Sequence, residues 1–202
     1  MKYLCFLCFL CTIILCSSLP AYSHSTTQIQ IRQTELLSNL FDQLVQRQIN
    51  SEMAIEKSVN ALLKRYPEKI ESVLKIAIDK YPQQYKQIMC GAIRAEPALT
   101  SDVIDIILRS GIAKSDDIIS FALSEEPAYA QEIVNAAVSH NPLDIENIVR
   151  VAIIAEPLMA NHVVNHTMQS YPERILDILV VAIKALPDQV ANIVRDTLRI
   201  SP

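Results

Sequence analysis

From Glu52 onward the apolar side chains return with the period of a helix, and the helices themselves return on a 15-residue period. Each row is counted from the position that proline usually holds, taken as zero. The seventh position then reads Val59, Leu74, Met89, Ile104, Ile119, Val134, Val149, Val164, Leu179 and Val194. The eleventh reads Leu63, Ile78, Ile93, Leu108, Leu123, Val138, Ile153, Met168, Ile183 and Leu198. Both columns are apolar in every row, and positions three, six and ten complete the i, i+3, i+4, i+7, i+8 stripe of one helix face. A strand would alternate every second residue. Each row therefore predicts one amphipathic helix.

Proline punctuates the pattern. Pro67, Pro82, Pro97, Pro127, Pro142, Pro157, Pro172, Pro187 and Pro202 stand on one 15-residue grid, and Ile112 holds the single skipped node. Proline is accepted in the first helical turn, where its missing N–H would have had no partner, and it turns the preceding residue away from helical geometry. The same residue thus opens one helix and closes the last. Helices of about twelve residues joined by two or three are expected, and such short joints make neighbours antiparallel. Position ten is usually alanine (Ala77, Ala92, Ala122, Ala137, Ala152, Ala182), which permits close approach. Glu96-Pro97, Glu126-Pro127 and Glu156-Pro157 recur at every second row, so two helices form one structural repeat.

These rows, Glu52 to Pro202, resemble the α-solenoid class of helical-repeat proteins, in which stacked helix pairs bury a continuous core and present an extended face to partners. The tetratricopeptide and ankyrin patterns are absent, and the 30-residue pair stands nearest to short HEAT-like units by analogy only. The resemblance implies an all-α fold: a right-handed α-solenoid of short antiparallel helices, one per 15-residue row. Three segments are expected: a signal peptide over 1–23, a leading or capping helix over 24–50, and ten repeat rows over 51–202.

The leading helix is expected from Ile29 to Gln48, with Ile29, Leu36, Leu37, Leu40, Leu44 and Val45 near one face; Asn50-Ser51 breaks it, and Ser51 is placed to cap the next helix. Two later sites depart from regularity. Ser110-Gly111 reads as a helix end and Ser115-Asp116-Asp117 as a delayed start, which leaves a loop of about four residues. Gly111, Ile112, Lys114 and Ser115 are therefore a candidate recognition loop. Thr100-Ser101-Asp102 is read as a second delayed start.

The first residues describe a route rather than a fold. Met1-Lys2 is a short positive segment, Leu4 to Leu15 is almost wholly apolar, and Ala21-Tyr22-Ser23 offers small residues for cleavage near Ser23. The apolar run covers about 20 Å as helix, short of a hydrocarbon core of roughly 30 Å, so no transmembrane anchor is expected in the mature form. A periplasmic or secreted location follows.

Removing that leader changes the composition. Four of the five cysteines leave with it, and Cys90 remains alone, so neither an internal disulfide nor a structural zinc site can form. With Lys2 gone, 17 basic residues face 22 acidic ones, a net charge of about −5. That balance disfavours nucleic acid or anionic lipid as the main partner. Cys90 lies in the polar eighth column, where an outward thiol is a candidate for an intermolecular disulfide and hence a homo-oligomer.

Chemistry is otherwise sparse. His162 and His166, four apart on one helix, are weak metal candidates, because the HVVNH run lacks the glutamate of a zinc hydrolase. Only Gly91 and Gly111 exist, which excludes phosphate-cradling loops, and there is no nucleophile elbow. The acidic residues Glu56, Glu71, Asp105, Asp117, Glu132 and Glu146 read as a solvated face. Tyr66, Tyr81 and Tyr171 precede prolines and are expected to pack on them or to line one rim. No catalytic residue and no cofactor are expected. The favoured function is an exported scaffold that binds a protein partner; a self-assembling structural subunit is the alternative, and a metal-dependent enzyme is a distant third.

Overall fold

A computed structural model describes residues 21–48 and 51–189, together with residues 191 and 195. Most of the expected signal peptide and most of the last row, including Asp196 and Thr197, lie outside the described residues. The chain divides into two compact units, residues 1–40 and 41–202. Helix α1, Ala21–Arg47, starts in the first and ends in the second. Within the first unit Leu37 is buried, whereas Ile29, Ile31 and Leu36 are exposed. The predicted stripe of the leading helix is therefore only partly an inner face.

The second unit is the repeat array. Its helices are α2 (Ala54–Arg65), α3 (Ile70–Lys80), α4 (Tyr85–Ala95), α5 (Thr100–Ser110), α6 (Ser115–Glu125), α7 (Ala130–His140), α8 (Ile145–Ala155), α9 (Ala160–Ser170) and α10 (Ile175–Ala185). No strand occurs among the described residues. At Pro67, Pro82, Pro97, Pro127, Pro142, Pro157 and Pro172 a three-residue 3-10 turn begins on the proline, as at Pro67–Lys69, and runs directly into an 11-residue α-helix. The expected joint of two or three residues is in fact one. Tyr66 shows why: its extended φ of −137° follows from the proline after it. Its N–H donates to Leu62 O at 2.8 Å and its carbonyl accepts from Lys69 N–H at 3.0 Å. A single residue closes one helix and starts the next, and Tyr81, Glu96, Glu126, Asn141, Glu156 and Tyr171 repeat the arrangement.

Each helix packs on its successor and on the helix after that. Helices α2, α4, α6, α8 and α10 form one layer, and α3, α5, α7 and α9 form the other. The seventh column lies between them: Val59, Leu74, Met89, Ile104, Ile119 and Val149 are all 0% exposed. Burial of a leucine-sized side chain contributes on the order of 2 kcal/mol, so each row has a substantial apolar anchor. The alanines of column ten are likewise buried, and they hold the layers close.

The skipped node behaves as its glycine predicts. Gly111 takes a left-handed φ of 65° and its N–H caps Leu108 O at 3.2 Å. The chain then crosses residues 111–114 before α6. The helix start is carried by Lys114, whose carbonyl accepts from Asp117 and Ile118 N–H at 3.0 and 3.1 Å. Ser115 is consequently the first helical residue and not the cap. The delay expected at Thr100 does not occur: α5 begins there as other helices do in their rows, with Thr100 Oγ1 donating to Pro97 O at 2.8 Å. Ser51 Oγ accepts from Met53 N–H at 3.4 Å and from Lys57 Nζ at 3.0 Å, one turn ahead of the helix it was expected to cap. The tyrosines do not form one rim, because Tyr66 turns from the first layer to the second while Tyr81 and Tyr171 turn back at the opposite edge. Within the array Tyr81 meets Phe41 edge-on at 6.0 Å, and Arg65 lies over the Tyr66 ring at 5.7 Å.

Candidate functional site

The interruption at Ile112 opens a cavity. Between α3 and α5 lies a space of about 580 Å3 lined by Ile78, Pro82, Ile106 and Ile112, with Glu71, Lys75, Asp79, Arg109 and Ser110. Ile78 is buried, Ile106 and Ile112 are half-buried, and the four charged side chains are exposed. Two features of the rows create it. Helices α3 and α5 are same-layer neighbours, so their outer faces share one surface. Where other rows carry proline and a tight 3-10 turn, this one carries a four-residue loop that brings Ile112 over the groove. Arg109 ties the walls together, with Nε 2.8 Å from Asp105 Oδ2 and Nη1 3.9 Å from Glu71 Oε1.

Of the predicted recognition loop, Ile112 lines this groove, while Gly111, Lys114 and Ser115 are exposed beside it. Sequence reasoning missed Ile78, Pro82 and Ile106. Ile78 and Ile106 belong to rows one helix pair apart, and only the packing of alternate helices brings them together. A second, more polar depression of about 620 Å3 lies on the other layer, where Lys86 Nζ sits 4.9 Å from the Phe121 ring.

Along that layer runs a strip of polar contacts between alternate helices. Arg94 of α4 reaches Glu56 of α2 at 2.7 Å and Glu125 of α6 at 3.0 Å, with Glu126 at 3.7 Å. Partial burial works against its charge, but Glu56, Cys90 and Glu125 together outweigh that and raise its pKa. The expectation of an outward Cys90 is corrected here. The residue is only 7% exposed, with Sγ 3.8 Å from Glu125 Oε2. In this row the eighth position faces the next helix of the layer, whereas Lys75 and Arg150 of the same column are exposed. Burial first, and then the charge of Glu125, pushes the thiol up to about 12. A buried, neutral thiol is poorly placed for an intermolecular disulfide.

The acidic residues also do more than meet solvent. Glu56, Glu71, Asp105 and Glu146 all take arginine partners. The two histidines are separated by their surroundings: His162 is exposed, and His166 is half-buried with Nε2 2.9 Å from Asn135 Nδ2. An amide N–H can only donate, so Nε2 accepts and that nitrogen is already engaged. Among the described residues no three His, Cys, Asp or Glu side chains come together to hold a metal ion. Comparison of the chain with protein-family models, with curated proteins and with solved structures gave no match.

Proposed function

We propose that this chain is an exported scaffold that binds a protein partner in the cell envelope or outside the cell, and that the α3–α5 groove takes an apolar side chain of that partner. The observation that carries the reading is the groove itself. An apolar floor of Ile78, Pro82, Ile106 and Ile112 with charges of both signs beside it suits an amphipathic peptide or helix. It lies at the one place where the repeat rhythm is broken. The net acidic balance of the mature chain favours protein over nucleic acid as partner. The cleaved leader and a right-handed superhelix belong to the same proposal.

The test is site-specific photocrosslinking in an expressing cell, with the photoreactive residue at Ile112 and, as control, at the exposed Leu143. A discrete protein adduct is expected from position 112 and not from 143, and Ile106→Asp should remove it. Equal labelling from both positions, or an adduct indifferent to Ile106→Asp, would sink the groove as the binding site.

A further inference from the structure

The charges around the α3–α5 groove are not equivalent. Glu71, Lys75 and Asp79 follow one another at single-turn spacing along α3, and all of them line the groove. Glu71 lies 3.9 Å from Arg109, which also holds Asp105 at 2.8 Å, so these charges answer one another inside the chain. Lys75 and Asp79 are exposed, and neither side chain has an ion-pair or hydrogen-bond partner among the described residues. The groove is also no chain end, since α3 packs on α2 and α4, and α5 goes on to pack on α7.

Building on the groove as the proposed binding site, we infer that its occupant is an amphipathic α-helix of the partner protein, with an acidic side chain set against Lys75 and a basic one against Asp79. An extended segment would bring backbone N–H and C=O groups that need partners once the apolar floor shields them from water. The groove offers little in return. Its walls are helices, no strand edge exists among the described residues, and its lining contains no asparagine or glutamine. The one lining hydroxyl, Ser110 Oγ, already donates to Ile107 O at 2.6 Å. A helix arrives with its backbone groups satisfied and presents an apolar face to Ile78, Ile106 and Ile112. The unpaired charges then set its pattern. Lys75 and Asp79 lie about 6 Å apart along the axis of α3, so an acid and a base about four residues apart on the occupant meet both at once. Two like charges at those places would meet one partner and one opponent. Exposed ion pairs add little affinity but discriminate among partners, so the floor holds the helix and the rim selects it.

Photocrosslinking from positions 75 and 79, one at a time in an expressing cell, reads the occupant's conformation once mass spectrometry has located each adduct on the partner. The two sites are expected about four residues apart, one helical turn. Sites about two residues apart, the spacing of a strand, would overturn the helix. The charge pattern is read from the adduct at position 112. Lys75→Glu and Asp79→Lys should each lower its yield at least severalfold with unchanged circular dichroism, whereas Glu173→Lys, at an exposed site far along the array, should not. An adduct at 112 that ignores both reversals would overturn the charge pairing while the groove stands as the binding site. Absence of any adduct at 112 would remove the groove as the binding site, and the helix with it.

Discussion

Cys90 is neutral in the fold because its surroundings offer a thiolate little solvation and a nearby carboxylate. Its pKa is raised from an ordinary 9.0 to about 12, so the unfolded chain releases the proton first as pH rises. The stabilisation is complete below about pH 9 and is lost as pH climbs from there toward about 12. Urea midpoints measured across that window should fall more steeply for the native chain than for Cys90→Ala; parallel slopes would show that the thiol does not contribute. At this scale the sequence was misleading for a definite reason. Column eight reads as polar whether it faces solvent or a neighbouring helix's ion pairs, and nothing in a single row separates the two. The signal that could have done so was the small-residue run Gly91-Ala92 beside the thiol, which implies a close neighbour.

That close neighbour is α2. A Cβ on Gly91 would lie 2.4 Å from the carbonyl oxygen of Glu56, a backbone atom that cannot move without the whole helix moving. Gly91→Ala is therefore expected to cost roughly 1–3 kcal/mol, the range of overpacked cores, in spite of alanine's better helix propensity. Chemical denaturation would measure it, and a neutral or stabilising result would mean that α2 and α4 separate without penalty. Helices themselves were legible from spacing alone, because proline marks every joint except one and the apolar stripe has a single period. Their joints were shorter than expected since the residue before proline serves both ends at once. The groove was not legible, because Ile78, Ile106 and Ile112 become neighbours only when alternate helices share a layer.

In the array as a whole each helix touches only helices nearby in sequence, so stability is close to a sum of local interfaces. Opening should begin where the fewest side chains are buried. Amide hydrogen exchange is expected to be faster in α10, where only Ile178 and Ala182 are buried, than in α5 to α8, which include the fully buried Ile119, Ile133 and Ile153. Uniform protection from α4 to α10 would instead show one cooperative block.

The packing of alternate helices also limits how such a chain can change in length. The contacts Asn60 to Gly91, Arg94 to Glu125 and Asp116 to Asn147 each span 31 residues, one helix pair and one step more. Deleting or duplicating a single row would move every later helix to the opposite layer and set each of these contacts against a foreign face. Loss or gain of a whole helix pair keeps all later helices in their layers and disturbs only the contacts at the new junction. Duplication and deletion in the history of this chain are therefore expected to have proceeded two helices at a time.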